Sequence, residues 1–109
     1  MEIKVKEKTG VVVVYIEGTV DIFNADRIPE VIANLLPKPI LINLENVRYI
    51  DSSTVGALIS SYKRAAQIQT PFAICSVSRQ FTEILEITHI EELFPLYPTE
   101  EEGVAELLK

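Results

Sequence analysis

Apolar residues recur along the chain with two different spacings, which predict an alternation of strands and helices. Glu2 to Glu7 alternates apolar and charged residues, Thr9-Gly10 is a turn sequence, and Val11 to Ile16 is β-branched and aromatic. The chain is therefore expected to open with a β-hairpin. Ile40 to Leu44 and Phe72 to Val77 are short continuous apolar runs. Such runs are typical of central strands that are covered on both faces.

Four further segments have the apolar spacing of amphipathic helices. The first is predicted to have Asn24 as a cap and to become regular near Pro29, and the second to begin at the Asp51-Ser52-Ser53 run. The third is predicted to be capped by Ser78, and the fourth by a capping box of Thr99 and Glu102. Leu93 to Tyr97 is predicted to be a last strand. The order β-β-α-β-α-β-α-β-α indicates an α/β fold, with a mixed sheet of about four to five strands and about four helices in one domain over residues 1–109.

Charge and composition limit the kinds of partner and the cellular compartment that we expect. The formal net charge is -6 without a cluster of Lys and Arg, so nucleic acid is a poor partner. The apolar runs are too short to cross a bilayer, and the N-terminal alternation lacks the apolar core of a signal peptide. Cys75 is the single cysteine, which excludes an internal disulfide and favours a reducing compartment. We therefore expect a cytoplasmic protein without a membrane partner.

Polar side chains follow two of the predicted strands, at Gly18 to Asp21 and at Tyr49 to Thr54. In sheets with parallel strands, functional groups collect where the carboxyl ends of strands lead into helices. A helix N-terminus stabilises anions, and a phosphoryl group on Ser52 would add roughly -1.5 to -2 charge beside Asp51. Ser, Thr and Asp are also the preferred helix caps. The residues alone therefore leave both a phosphorylation site and a simple cap open.

The segment from Asn46 to Leu58, with Asp51-Ser52-Ser53-Thr54 at its centre, resembles the anti-sigma factor antagonists of the STAS domain family. The similarity extends to Gly18 to Asp21 with Ala25, to Cys75 to Ser78, and to the closing strand and helix between Leu93 and Leu108. It implies a single STAS domain over the whole chain. It also implies a binding protein rather than an enzyme, present as a monomer or weak dimer.

The resemblance implies a partner-switching cycle. The unmodified protein would bind an anti-sigma factor that is also an ATP-dependent serine kinase, and so free the sigma factor. Phosphorylation of Ser52 would release the antagonist, and a serine phosphatase would reset it. ATP and Mg²⁺ would belong to the kinase, so no cofactor is expected here. By the same resemblance, Asp21, Asp51, Ser52, Ser53 and Thr54 form the partner-binding surface.

Two points of the assignment stay open at this stage. Thr54 stands where the family pattern often has Gly, so Ser53 and Thr54 are alternative acceptors, and Thr54 could restrict the approach of the kinase. A STAS-like module of a transporter or larger signalling complex, which is never phosphorylated, is the alternative function.

The sequence supports a catalytic function less well than a binding function. A serine hydrolase would need a base, and the single histidine, His89, is expected to be solvated. A phospho-aspartate receiver built on Asp51 would need further carboxylates and a Lys that the predicted strand ends lack. Cys75 is expected to be a buried packing residue.

Overall fold

The computed structural model describes residues 1–109 and contains one β-sheet, four α-helices and one 3₁₀ turn. The strands are β1 (Glu2–Lys8), β2 (Val11–Thr19), β3 (Ile40–Asn43), β4 (Val47–Tyr49), β5 (Phe72–Cys75) and β6 (Leu96–Tyr97). The helices are α1 (Arg27–Leu35), α2 (Ser52–Gln67), α3 (Arg79–Ile87) and α4 (Glu100–Leu107), with the 3₁₀ turn at Ile90–Glu92. The predicted α/β fold is confirmed. None of the four helices combines the length and the apolar character needed to span a bilayer.

The sheet is mixed, as predicted, because the hairpin is antiparallel and the later strands are parallel. The main strand order is β1-β2-β3-β5-β6, and only the β1–β2 pair is antiparallel. Thr9 and Gly10 both have positive φ, 51° and 92°, as a two-residue turn of type I′ requires. The residues of β1 and β2 then pair one to one, from Lys8 opposite Val11 to Glu2 opposite Glu17.

The hydrophobic core lies on both faces of the sheet. Val12, Val14 and Ile16 of β2 face a large core under α1, α2 and α3, whereas Val11 and Val13 face a smaller one under α4. The prediction that the central strands are covered on both sides is therefore confirmed.

Helix α4 packs directly on the sheet at Gly103. A Cβ atom added there would lie 2.8 Å from Leu41 Cδ1, so any larger residue would force the buried Leu41 side chain to shift.

Two strand predictions differ from the structure. The short strand β4 was not predicted; it pairs in parallel with the last residues of β2, opposite Gly18 and Thr19. The last strand was predicted from Leu93 but contains only Leu96–Tyr97. Phe94 is instead buried against the rings of Tyr62 and Phe72, with centroid distances of 5.3 and 4.9 Å. Pro95 has no N–H to donate to a ladder, so pairing starts after it.

Ser78 and Thr99 hold the N-cap positions of α3 and α4 as predicted, but the hydrogen bonds at these two starts and at the start of α1 differ from those expected. Asn24 does not cap α1, because the chain enters the helix through a turn in which the N–H groups of Arg27 and Ile28 already bond backbone carbonyls. Ser78 holds the cap position of α3 without a side-chain capping bond. At α4, Thr99 accepts a hydrogen bond from the N–H of Glu102, and no bond from the Glu102 side chain completes the predicted box.

Candidate functional site

The two polar segments singled out from the sequence lie side by side at one edge of the sheet. The backbone N–H of Val20, just after β2, donates a 3.1 Å hydrogen bond to the carbonyl of Tyr49, the last residue of β4. This bond joins the loop that contains Asp21 to the segment that leads into α2. The structure therefore brings both predicted segments together, and the unpredicted strand β4 is what joins them.

The start of α2 is fixed by a reciprocal capping box between Asp51 and Thr54. The N–H of Asp51 donates to Thr54 Oγ1 at 3.2 Å, and Asp51 Oδ1 accepts from the N–H of Ser53 at 2.9 Å and from the Ser53 hydroxyl. Such caps satisfy backbone groups that a helix leaves unpaired at its start. The polar run therefore forms a helix cap, which is one of the two roles that the residues alone left open.

The electrostatics of this cap favour the carboxylate form of Asp51. The hydrogen bond from the Ser53 side chain, helped by the backbone N–H groups of Ser53 and Thr54, outweighs burial and lowers the pKa of Asp51 below its ordinary value of 3.8. At neutral pH a negative charge is thus fixed beside Ser52, at the positive end of the helix dipole.

The three hydroxyl groups of the run have different surroundings. Thr54 is 1% exposed, and its hydroxyl is used by the cap. Ser53 is half-buried and bonds Asp51. Ser52, the first residue of α2, is exposed, and the hydrogen bonds of the turn leave its hydroxyl free. Of the three, Ser52 alone is exposed and has a hydroxyl that makes no hydrogen bond in the cap.

Asp21 organises the facing loop. Its Oδ1 accepts from the N–H of Phe23 at 3.0 Å, and its own N–H donates to Asn24 Oδ1 at 3.0 Å. Asn24 Nδ2 in turn donates to the carbonyl of Thr19 at 3.0 Å. Short polar side chains favour such local bonds to the backbone. Asn24 thus shapes this loop, instead of capping α1.

The same loop exposes two large apolar residues that the sequence analysis did not single out. Ile22 is 73% exposed and Phe23 is 94% exposed. The sequence carried a signal for them, because two bulky apolar residues follow Asp21 directly in a segment that predicts a turn. Tyr49, on the neighbouring strand, is 46% exposed.

A second polar cluster lies near the start of α4, around Glu100. Its side chain accepts hydrogen bonds from Asn43 Nδ2 at 3.0 Å and from Lys8 Nζ. Burial raises the pKa of Glu100, but hydrogen bonds from Lys8, Tyr15 and Asn43 outweigh it, and the net pKa lies below 4.5. The cluster joins α4 to β1, β2 and β3, so Glu100 has a structural role beyond its favourable place at the helix start.

Comparison with known proteins identifies the family to which the chain is similar. The sequence model of the STAS domain matches residues 2–103. The anti-sigma F factor antagonist of Paenibacillus polymyxa is 25% identical over 111 residues, covering 98% of this chain and 95% of its own.

Solved structures agree with this match. An anti-sigma-factor antagonist domain protein from Planctomyces limnophilus is 28% identical, with a TM-score of 0.83 and 98% of each chain covered. An anti-sigma factor antagonist from Mycobacterium paratuberculosis has the same fold, with a TM-score of 0.89 at 22% identity over 99% of this chain and 94% of its own. The resemblance stated from the sequence is confirmed, and the chain belongs to the STAS domain family.

Proposed function

We propose that this protein is an anti-sigma factor antagonist that is switched by phosphorylation of Ser52. The observation that carries the proposal is the division of the three hydroxyls: Ser52 is exposed with a free hydroxyl, Ser53 bonds Asp51, and Thr54 is buried in the cap. Relatives that are named anti-sigma factor antagonists and match nearly the whole chain support the antagonist part of the proposal.

In the proposed cycle the unmodified protein binds an anti-sigma factor that is a serine kinase, and the sigma factor is freed. The kinase transfers the γ-phosphoryl group of ATP to Ser52 Oγ, which loses its proton, and ADP leaves. ATP and Mg²⁺ are bound by the kinase. A serine phosphatase then hydrolyses the ester with water, restoring the hydroxyl and releasing inorganic phosphate. The whole cycle takes place in the cytoplasm.

The surroundings of Ser52 suit both states of this switch. The positive end of the α2 dipole, where Ser52 lies, stabilises an added phosphoryl group. The new charge, roughly -1.5 to -2 at neutral pH, would stand next to the ionised Asp51. The modification therefore changes the charge and the size of the surface that Asp21 and Asp51 share, without requiring the domain to unfold.

Phosphorylation by the purified partner kinase tests the proposal. With ATP, intact mass spectrometry should show one added phosphate on the wild type and on Ser53→Ala, and none on Ser52→Ala. Ser53→Ala is the matched control, because it removes the neighbouring hydroxyl and keeps the backbone bond to Asp51. Labelling of Ser52→Ala would move the acceptor elsewhere.

Binding distinguishes the switch from a constitutive STAS module. Ser52→Asp should bind the anti-sigma factor more weakly than the wild type, because it adds a permanent charge next to Asp51. Equal affinity of the two forms would contradict the switch and would favour a binding module that is never phosphorylated.

A further inference from the structure

Phe23 is the most exposed of the large apolar residues in the protein, at 94%, and the adjacent Ile22 is 73% exposed. Exposing an aromatic side chain to water is unfavourable, and burying one removes roughly 150–250 Å² of surface from water. Adjacent exposed apolar residues at a functional edge are typical of an interaction site. The exposure of Phe23 and Ile22 is therefore typical of residues that contact a partner.

The loop holds the backbone of Phe23 in a defined position. The Phe23 N–H donates to Asp21 Oδ1, and the N–H groups of Asn24 and Ala25 both donate to the carbonyl of Asp21. An anchor on such a loop loses little backbone entropy when it binds. The same bonds make Asp21 a positioning residue for Phe23.

The loop is continuous with the proposed phosphorylation site. The hydrogen bond between Val20 N–H and the carbonyl of Tyr49 lies three residues before Phe23 on one segment and three residues before Ser52 on the other. A partner that contacts Ser52 and Asp51 therefore meets the Asp21 loop on the same edge of the sheet. This continuity identifies the occupant of the apolar surface as the partner that acts on Ser52.

Charge restricts that partner further. The segments Thr19 to Asp26 and Tyr49 to Tyr62 contain three aspartates, but the exposed Arg27 and Arg48 directly adjoin them, so charges of both signs lie near this edge. The chain as a whole has a net charge of -6, which disfavours an anionic membrane or a nucleic acid, whereas a protein surface with an apolar pocket fits the exposed Ile22 and Phe23.

We infer that Phe23, flanked by Ile22, is the hydrophobic anchor by which this protein binds its anti-sigma factor, in an apolar pocket of that partner. The inference rests on the proposed function. It also gives a physical reason for release, because a phosphate dianion on Ser52 must be desolvated beside an apolar contact and is repelled by Asp51.

Titration calorimetry with the anti-sigma factor that binds and phosphorylates the wild type tests the anchor. Phe23→Ala should weaken binding by about 30-fold or more, as expected for a central aromatic anchor. Phe23→Leu should retain most of the affinity because it keeps an apolar side chain. The matched control is Ile87→Ala, which truncates a 72% exposed apolar residue at the end of α3 and should leave affinity unchanged. Melting curves should confirm that all three variants are folded.

A second measurement links the anchor to the switch. If phosphate acts by disrupting the Phe23 contact, Phe23→Ala should weaken binding much less in the Ser52→Asp background than in the wild type. Fully additive losses would contradict this mechanism of release.

The results separate the two claims. If the wild type binds no anti-sigma factor, the proposed function fails and the anchor fails with it. If the wild type binds and Phe23→Ala binds equally well, only the anchor is overturned. A wild-type dimer that Phe23→Ala dissociates, with affinity for the anti-sigma factor unchanged, would also overturn it and identify a second copy as the occupant.

Discussion

Glu100 connects α4 to three strands of the sheet, and its removal should destabilise the fold more than the removal of its neighbour. Glu100 accepts from Asn43 Nδ2, and Asn43 is 4% exposed, so Glu100→Ala leaves a buried amide donor without a partner. Losing a hydrogen bond to a charged group costs about 1.5–3 kcal/mol in proteins. We therefore expect a decrease of that size in the free energy of unfolding.

Glu101→Ala is the matched control for this substitution. Glu101 is exposed and lies in the same first turn of α4, so both variants lose a similar interaction with the helix dipole, about 0.3–1 kcal/mol. Both also gain the helix propensity of alanine. The difference between the two variants then isolates the contacts of Glu100 with Asn43, Lys8 and Tyr15.

Urea unfolding at neutral pH measures this difference directly. Glu100→Ala should be less stable than Glu101→Ala by about 1.5–3 kcal/mol. A difference below about 0.5 kcal/mol, the range of ordinary surface substitutions, would refute the reasoning.

The pH dependence gives an independent check. The pKa of Glu100 in the folded protein lies below 4.5, the ordinary value expected in the unfolded chain. Its charged form therefore stabilises the fold fully above pH 4.5, and this stabilisation is lost as the pH falls through the lower folded pKa. The stability difference between the two variants should narrow on acidification. A difference that grows in acid would contradict the assigned direction.

Three further outcomes follow from burial and from the cap of α2. Leu58→Ala, at a fully buried site, should lower the free energy of unfolding by about 2–5 kcal/mol, against about 0.5 kcal/mol or less for the exposed Ile87→Ala, by urea unfolding. Burial raises the pKa of the Cys75 thiol to about 11, so a thiol reagent at neutral pH should label the unfolded protein and spare the folded one; rapid native labelling would contradict this. Asp51→Asn should melt at a lower temperature than the wild type at neutral pH, and the gap should close as the pH falls through the folded pKa of Asp51, below 3.8; a gap independent of pH would argue against a charged cap.

The regular elements were predictable because their residue spacing is strong. The β2 run, the two central strands and the apolar face of α2 follow directly from periodicity. The strand β4 has only three residues, with Arg48 in its centre, and its pairing depends on where β2 ends. Such a short segment carries no periodic signal.

Contacts between distant residues were not predictable in the same way. Glu100 bonds Asn43 from 57 positions away, and composition offered only its favourable place in the first turn of α4. The exposed state of Phe23 likewise depends on the bonds within the Asp21 loop. Propensity describes each residue alone, whereas these features arise from how segments meet.

The helix cap and the proposed acceptor are two interpretations of one polar run, and they are compatible because the cap residue Thr54 is buried whereas Ser52 is exposed. A cap needs an acceptor for the N–H of Asp51, and Thr54 supplies it from a position that is 1% exposed. The Thr54 side chain offers little surface to a kinase, which favours Ser52 over Thr54 as the proposed acceptor. Asp51 and Thr54 form the cap between them, so the Ser52 hydroxyl takes no part in it. Phosphorylation of Ser52, as proposed, is therefore compatible with an intact cap, and the helix N-terminus would stabilise the added anion.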